Sequence, residues 1–272
     1  MFIKQNLHTH CTFCDGRDTP EEMIAEAAIQ GFDSIGFSSH SSSLHRPIYN
    51  PDGTKPVRYR EYIRRLKDEY KGKIDIYLGL ESDLFLVGDD LSEYDYVIGS
   101  VHYLELDGQI INADVGLEAF KKLIDGHFGG DGMEAAKKYY EMLSRLPEVG
   151  KFDIIGHFDI ITKHIEAFPF VDVQSREYRR YAIEAAEALA GKIPYFEVNT
   201  GAAARGYRTS FYPDPYILRE LHRLGFGAVI TTDCHDRSKL GFGFDDARQL
   251  LCDCGYREIY VLGDGGFMPV SL

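Results

Sequence analysis

The sequence predicts an α/β protein whose strands close into a barrel, and three observations support this. Short apolar or β-branched runs alternate with helical patterns along all 272 residues. Strands separated by crossover helices imply parallel pairing, and this many units favour a closed ring over the alternative, a doubly wound open sheet. No linker or shift in composition divides the chain, so residues 1–272 are expected to form one domain. Histidines and carboxylates follow nearly every predicted strand.

The chain begins with a strand and with a helix whose two ends are marked. The strand is FIKQNLH, and the helix behind it is TPEEMIAEAAIQG. Thr19 suits the N-cap and Pro20 the first helical position. Glu22 completes a capping box, and Gly31 ends the helix. These signals predict a first βα unit.

The same alternation continues to the end of the chain. The further predicted strands are SIGFSSH, DIYLGLES, YVIGSVHY, FDIIGHFD, YFEVNT, GAVITTDCH and EIYVL. The further predicted helices lie near 58–70 and 133–146, at 174–190, and at the runs DPYILRELHRLG and DDARQLLCDCG. A glycine-rich insertion at 125–132 precedes the helix near 133–146.

Composition excludes several classes of function. The 43 acidic and 30 basic residues give a net charge of −13, which repels phosphate backbones, so no nucleic-acid partner is expected. No apolar run approaches the ~20 residues of a membrane span, and the first residues do not resemble a signal peptide. We therefore expect a cytoplasmic protein with no membrane partner. The five cysteines are an odd number without framework spacing, which predicts free thiols. The oligomeric state is left open.

The ends of the predicted strands carry the residues of chemical interest. They are His8, His10, His40, Glu81, His102, His157, Glu197, Asn199, Asp233 and His235, and Asp15 follows the first strand in the adjacent loop. In a β/α barrel the carboxyl ends of the strands meet at one rim. A lone histidine is more often an ordinary core or surface residue, but six of the ten histidines fall at these ends. The pattern therefore predicts one shared site.

Imidazole and carboxylate are ligands that suit Zn, Mn and Fe. Nine of these residues are candidate metal ligands: His8, His10, Asp15, His40, Glu81, His102, His157, Asp233 and His235. Nine exceed what one tetrahedral ion needs, so two or three divalent ions are expected, with Glu81 as the candidate bridge. The cysteines at positions 11, 14, 252 and 254 have spacings loosely compatible with zinc, but they are interpreted as structural thiols.

The segments HTH, SSH, GLES, SVHY, GHFD and TDCH span residues 8 to 235. In this order they resemble the polymerase and histidinol phosphatase (PHP) family of metal-dependent phosphoesterases. The resemblance implies a distorted seven-stranded, TIM-like (β/α)7 barrel, with EIYVL outside the ring. It implies one ion on His8, His10, Glu81 and Asp233, a second on Glu81, His102 and His157, and a third on Asp15, His40 and His235.

Two positions depart from the family pattern. Asp15 stands where some relatives have histidine, and an oxygen ligand there favours Mn or Fe, or a lower occupancy, at the third position. Ser39 stands where the family often has a carboxylate, which removes a partner that would orient a histidine.

In length and in the segment VNTGAAARGYRTSFYPDP, the chain looks most like the monofunctional histidinol-phosphate phosphatases of this family. The resemblance implies hydrolysis of L-histidinol phosphate, a step of histidine biosynthesis. Ions a few ångström apart lower the pKa of a bridging water and supply hydroxide for in-line attack on phosphorus. Glu81, Asp233 and His235 are the residues we assign to catalysis. Asp159 and a metal-bound water are the two candidates for protonating the leaving group.

Binding of the phosphate is assigned to cations in the loops after the strands. Arg205 is the first choice, because guanidinium groups pair with phosphate oxygens and its loop follows the strand of Glu197. The further candidates for binding substrate are His45, Arg237, Lys239 and Asn199, while Arg46 and Arg208 are weaker choices.

Three other functions compete with this one. The first is a PHP phosphoesterase acting on another small phosphorylated metabolite or on a nucleotide. The second is an amidohydrolase, which also uses an HxH strand but normally adds a metal-bridging lysine at a strand end, and none is evident here. The third is a metal-dependent binding protein without catalysis, which the complete ligand set disfavours.

Overall fold

The computed structural model describes residues 3–41, 55–85 and 89–272. In this part of the chain, seven parallel strands pair in the order β1-β2-β3-β4-β7-β8-β9. These strands are β1 Gln5–Asn6, β2 Ser34–His40, β3 Asp75–Asp83, β4 Tyr96–Ser100, β7 Ile154–Ile155, β8 Tyr195–Asn199 and β9 Gly227–Thr231. All seven belong to strands predicted from the sequence.

The two edges of this sheet meet just beyond β1 and β9. Thr9 forms a parallel bridge with Cys234. The backbone N–H of His10 donates to the Cys234 carbonyl at 2.8 Å, and the N–H of Cys234 donates to the His8 carbonyl at 3.0 Å. These contacts make a nearly closed barrel, which confirms the predicted fold class and rejects the open sheet.

Helices cover the outside of the barrel and follow the strands in the chain. They are α1 Pro20–Ile29, α2 Lys55–Glu69, α3 Leu117–Phe128, α4 Gly132–Ser144, α5 Leu146–Val149, α6 Arg176–Leu189, α7 Gly201–Ala204, α8 Pro215–Arg223 and α9 Phe244–Asp253. The predicted capping box of α1 is present: Thr19 Oγ1 accepts from the Glu22 N–H, and Glu22 Oε2 accepts from the Thr19 N–H. None of the described helices has the length and apolarity needed to cross a membrane.

Two antiparallel hairpins lie outside the ring. They are β5 Tyr103–Leu106 with β6 Gln109–Asn112, and β10 Glu258–Gly263 with β11 Gly266–Ser271. The second confirms the expectation that EIYVL lies outside the barrel. The first corrects the prediction of one strand through YVIGSVHY, because the chain leaves the sheet after Ser100. There the His102 N–H donates to Asp83 Oδ2 at 2.9 Å instead of continuing a ladder.

Among the described residues, the long helix α3 and the short helices α5 and α7 were not expected from the sequence. Helix α3 extends into the predicted glycine-rich insertion and ends at Gly129, which has a φ of 59°. The side chain of Asp131 then caps α4 by accepting from the N–H groups of Met133 and Glu134. The glycines therefore separate two helices instead of forming a long loop.

A tyrosine packs across the interior of the barrel near the amino ends of the strands. Tyr96 Oη donates to the Leu7 carbonyl, and the side chain is 1% exposed. A Cβ on Gly36 or Gly79 would come within 2.3 Å or 2.1 Å, respectively, of Tyr96 side-chain atoms. Glycine at these two positions thus makes room for the ring. A small apolar cluster surrounds it, made of Leu7, Tyr77, Ile98, Ile154, Val229 and Leu262.

Candidate metal centre

Glu81, near the end of β3, is the centre of the cluster at the carboxyl ends of the strands. Its side chain is 1% exposed and is approached by five imidazoles. His8 Nε2, His10 Nε2 and His40 Nδ1 lie 3.5, 3.5 and 2.8 Å from Oε2, and His102 Nε2 and His157 Nε2 lie 3.2 and 3.0 Å from Oε1. One carboxylate therefore links histidines from several strands.

Asp233 lies beside the same histidines, just after β9. Its Oδ1 is 3.1 Å from His10 Nε2 and 3.6 Å from His8 Nε2. The backbone of Asp233 has a φ of 45°, in the left-handed region that non-glycine residues rarely adopt. Such a conformation persists only where the surrounding structure imposes it, and it is common at functional sites.

Asp15 lies on the outer side of the cluster, in the loop after β1. Its Oδ1 is 3.3 Å from His235 Nε2, and its Oδ2 is 3.4 Å from His40 Nε2. His235 also stacks on His10, with ring centroids 4.2 Å apart. The fold thus brings together all nine side chains that the sequence indicates as ligands.

Within the described residues, three groups place one potential ligand atom from each member within 4.8 Å of the others. They are His8, His10 and Asp233; His40, Glu81 and His102; and His10, Asp15, His40 and His235. The grouping resembles the three-ion arrangement implied by the sequence, but His40 accompanies Glu81 and His102 where His157 was expected.

Three polar atoms at the heart of the cluster have charged neighbours but make no hydrogen bond. His8 Nε2, His10 Nε2 and Glu81 Oε2 are buried without a hydrogen bond to any described residue. Buried polar atoms are nearly always satisfied, because desolvation without a partner costs free energy. A cation between these atoms would satisfy all three. The donor set of imidazoles and carboxylates therefore fits divalent metal ions.

The ionisation of the carboxylates in the site also favours binding of a cation. Burial disfavours the charged form of Glu81, but the imidazoles of His40 and His102 hold the pKa of this carboxyl well below its usual range. Burial opposes ionisation of Asp233 as well, and the Arg205 guanidinium keeps its pKa well below the ordinary value. The centre therefore presents ionised carboxylates to a cation.

A PHP domain model matches residues 6–201 of the chain. The chain belongs to the PHP family. It is 30% identical to the histidinol-phosphatase of Lactococcus lactis subsp. lactis over 94% of this chain and 93% of that protein. It is 26% identical to the histidinol-phosphatase of Bacillus subtilis over 89% of this chain and 97% of the relative.

A solved structure has the same fold as this PHP chain. It is the histidinol phosphate phosphatase of Lactococcus lactis subsp. lactis in complex with zinc, L-histidinol and phosphate. It matches with a TM-score of 0.68 and 24% identity, covering 97% of this chain and 98% of that one. Both chains are matched almost from end to end, so the likeness in fold is not confined to the ring of strands.

Residues behind the PHP centre hold its histidines in place. Glu197 Oε2 lies 2.8 Å from His8 Nδ1, and Glu197 Oε1 accepts from the His157 N–H at 2.7 Å. Asp83 Oδ2 lies 3.1 Å from His102 Nδ1. The sequence indicated Glu197 as a strand-end residue without a role, and it missed Asp83. The signal for Asp83 was its spacing, because it shares the inner face of β3 with Glu81.

The centre opens into a cavity of about 260 Å³. The cavity is lined by Asp15, His40, Glu81, His102, Asp114, Ile160, Lys163, Arg205, Tyr207, Tyr212, Asp233 and His235. Arg205, the first choice for binding phosphate, therefore faces it. Arg205 Nη2 donates to Asp233 Oδ2 at 2.9 Å, and Nη1 donates to the Asp233 carbonyl at 2.6 Å.

A second cation and its carboxylate partner in the cavity wall were missed at the sequence level. Lys163 Nζ lies 2.7 Å from Asp114 Oδ1 and 4.6 Å from the centroid of the Tyr207 ring. Burial disfavours ionisation of Asp114, but Lys163 keeps the pKa of this carboxyl below its usual value. No spacing in the sequence links these two residues, since the segment after the β5–β6 hairpin and the turn that carries Lys163 meet only in the fold.

The other candidates for binding substrate lie elsewhere among the described residues. Asn199 is buried, where it donates to Glu197 and accepts from the Gly201 N–H. Arg237 pairs with Glu22 at 2.9 Å, and Lys239 is exposed. None of these three lines the cavity within the described part of the chain. His45 and Arg46 lie outside the described residues.

Two buried side chains stand behind the cavity wall. Arg208 Nη1 donates to Thr162 Oγ1 at 2.6 Å, and its guanidinium stacks over Tyr212. Asp159 is buried, which raises its pKa to about 6, and its Oδ2 accepts from the Asp214 N–H. Neither is among the described residues that line the cavity. Both therefore act at a distance from the place where substrate would lie.

Proposed function

We propose that this chain hydrolyses L-histidinol phosphate to L-histidinol and inorganic phosphate, as a phosphatase of histidine biosynthesis. The observation that carries the proposal is a buried cluster of histidines and carboxylates, some of whose atoms make no hydrogen bond, that opens into a cavity with a guanidinium at its wall. The relatives named histidinol-phosphatase, and the zinc, histidinol and phosphate held by one of them, support the assignment.

Two or three divalent ions, of Zn, Mn or Fe, would occupy the centre. We assign them to the nine side chains already described, with Glu81 shared between ions because its two oxygens face different histidines. When bound, such ions act as Lewis acids on phosphate oxygens and lower the pKa of water. The ionised carboxylates of this chain offset the positive charge of the ions.

Arg205 has the geometry for holding the transferred phosphate. A guanidinium has five N–H donors, and the hydrogen bonds to Asp233 leave others for a ligand in the cavity. Asp233 fixes the plane of this guanidinium, so that little orientation is lost when phosphate binds. Asp233 therefore has two tasks, as a proposed ligand and as the anchor of the phosphate-binding arginine.

Lys163 and Asp114 extend the polar wall away from the metal ligands. Lys163 adds a second positive charge for an anionic substrate, while Asp114 offers a carboxylate to a cationic one. L-histidinol phosphate carries both a phosphate and an amine, so a wall with both signs of charge suits it. This pair supports a small zwitterionic substrate.

The net charge of −13 disfavours a nucleic-acid partner, and we place the enzyme in the cytoplasm as a single-domain protein. Its partner is accordingly a small phosphorylated metabolite.

The test is a phosphatase assay with defined metal content. The protein is stripped with a chelator, reloaded separately with Zn, Mn or Fe, and assayed for phosphate release, with the ratio of metal to protein measured alongside. L-Histidinol phosphate is compared with sugar phosphates, nucleoside monophosphates and other amino-alcohol phosphates. We expect metal-dependent turnover, a ratio of two to three ions per chain, and a kcat/KM for L-histidinol phosphate at least ~100-fold above the others.

Equal or better turnover of another monoester would reject the substrate and favour a different PHP phosphoesterase. Turnover that survives complete removal of metal would reject the proposed centre. A chain that binds metal and hydrolyses no phosphoester would be a metal-dependent binding protein.

A further inference from the structure

A cysteine lies directly against one of the proposed metal ligands. Cys14 Sγ is 3.3 Å from His10 Nδ1. His10 is fully buried, and its other ring nitrogen, Nε2, has no hydrogen-bond partner among the described residues. That nitrogen faces the cluster, 3.1 Å from Asp233 Oδ1 and 3.5 Å from Glu81 Oε2. The His10 imidazole therefore lies between the thiol and the proposed metal centre, with Nδ1 facing the thiol and Nε2 facing the centre.

We propose that Cys14 is a positioning residue for His10 and a modification site that controls metal loading, an inference that rests on the proposed function. The sulfur accepts a hydrogen bond from the Nδ1–H of His10. This bond fixes the tautomer in which the lone pair of Nε2 is directed at the metal. Histidine ligands generally donate their second N–H to a carboxylate, a backbone carbonyl or a water, and loss of that partner weakens metal binding. In this proposal the sulfur of Cys14 takes the place of that partner.

Asp15 is the other possible acceptor for the Nδ1–H of His10, but it is less well placed than Cys14. Its Oδ1 is 3.6 Å from His10 Nδ1, beyond ordinary hydrogen-bond distance, whereas 3.3 Å is a normal contact for the larger sulfur atom. The carboxylate of Asp15 also lies between His235 and His40. Cys14 is therefore the nearer partner of this nitrogen.

The backbone holds the thiol in this place. The N–H of Cys14 donates to the carbonyl of Cys11 at 2.9 Å, which closes a turn. The Cys11 side chain is 0% exposed and belongs to the hydrophobic core, so the turn is anchored at its base. The backbone of the turn is consequently held by the fold, and it carries the Cys14 side chain beside His10.

Exposure distinguishes Cys14 from its buried neighbours. Cys14 is partly exposed, while Cys11 and Cys234 are buried. An alkylating reagent such as iodoacetamide would therefore reach Cys14, and also Cys252 on α9, before the buried thiols. A sulfur–carbon bond would replace the carbon–iodine bond, iodide would leave, and the thiol proton would pass to solvent. The added group would occupy the space between the sulfur and the imidazole and break their hydrogen bond.

The first experiment compares Cys14→Ala, Cys14→Ser and the control Cys252→Ala, whose partly exposed thiol lies on α9. The dissociation constant for Zn is measured by competition with a chelator, without any phosphatase assay. We expect Cys14→Ala to weaken binding by about 10- to 100-fold, and Cys14→Ser to stay within about threefold of the wild type because its hydroxyl also accepts. Cys252→Ala should bind as the wild type does.

Wild-type affinity in Cys14→Ala would overturn the positioning role. Cobalt loading adds a spectroscopic test, because a thiolate-to-cobalt charge-transfer band that disappears in Cys14→Ser would make Cys14 a ligand and overturn the proposal. Thermal unfolding of the metal-free variants separates a loss of affinity from a loss of fold. If Cys14→Ala does not fold, the alkylated wild type decides.

The second experiment treats the metal-free wild type with iodoacetamide and maps the labelled peptide. We expect labelling at Cys14 to reduce Zn binding in proportion, and Cys14→Ser to retain its binding after the same treatment. Full metal loading of protein labelled at Cys14 would overturn the modification site. Because both experiments measure metal, a wild type that binds Zn but does not hydrolyse L-histidinol phosphate would reject only the proposed substrate.

Discussion

The two ends of the barrel interior are built on the same strands and have opposite properties. Along the inner face of β3, Tyr77 lies in an apolar cluster, Gly79 makes room for the Tyr96 ring, and Glu81 enters the histidine cluster. Within the five residues from Tyr77 to Glu81, one strand thus passes from an apolar, closely packed end to an end with buried polar atoms that make no hydrogen bond.

The difference shows how a barrel separates stability from chemistry. The apolar end keeps water out of the interior, and a poorly hydrated interior strengthens electrostatic interactions at the other end. The polar end leaves buried nitrogen and oxygen atoms without hydrogen bonds, which are the atoms proposed here as metal ligands. Substitutions at the apolar end should therefore change the free energy of unfolding, and those at the polar end should change metal binding and turnover.

The largest effect is expected at the polar end, from Glu81→Gln. An amide cannot supply two anionic oxygens to the five surrounding histidines, so we expect kcat/KM to fall by at least about 1,000-fold, with metal content reduced. Phosphate release and elemental analysis measure these two effects, and circular dichroism should show an intact fold. A wild-type rate in this variant would contradict the proposed centre.

At the apolar end, Gly79→Ala should affect stability and leave metal binding intact. The new Cβ would lie 2.1 Å from Tyr96 Cζ, so the ring or the strand must shift. Overpacking of this kind lowers the free energy of unfolding by about 1–3 kcal/mol. Equilibrium urea denaturation of the metal-free protein measures the change, and elemental analysis checks that metal still binds.

Gly126→Ala is the matched control for that substitution. Gly126 lies within α3 and a Cβ there meets no atom within 4 Å, so helix propensity should raise the free energy of unfolding by about 0.5–1 kcal/mol. If both alanine variants have wild-type stability, the Tyr96 ring does not constrain the barrel as described.

Glu197→Gln tests whether a buried carboxylate behind the histidine cluster supports metal binding. Glu197 is fully buried and bonds His8 and the backbone of His157, but it does not line the cavity within the described residues. We expect metal affinity to fall by about 10- to 100-fold, because the imidazole of His8 loses an anionic partner. Chelator competition measures the change, with the exposed Glu118→Gln as control. Unchanged affinity would show that His8 needs no such support.

The smallest effect is expected for the phosphate contact. Arg205→Ala should raise KM about tenfold and weaken inhibition by inorganic phosphate, with Arg205→Lys between it and the wild type. Arg237→Ala is compared in parallel, because the sequence suggested Arg237 while the structure pairs it with Glu22. We expect the smaller change in KM from Arg237→Ala, and the reverse order would contradict the assignment of the phosphate contact to Arg205.

The sequence alone determined the class of fold and the set of side chains that the fold brings together at the rim. Both depend on local patterns. Alternation of strands and helices predicts parallel pairing, and parallel strands deliver their last residues to one end of a barrel. For this reason His8, Glu81 and His235 could be expected in one site although they are far apart in the chain.

Only the tertiary structure decided which partners surround those side chains. Glu197 pairs with His8 across 189 residues, and Lys163 pairs with Asp114 across 49. Arg205 faces the cavity, whereas Arg237 turns to Glu22. Such pairings depend on how the barrel closes and on where each loop returns. Periodicity is a property of neighbouring residues, so it carries no information about contacts that exist only after the strands have closed into a ring.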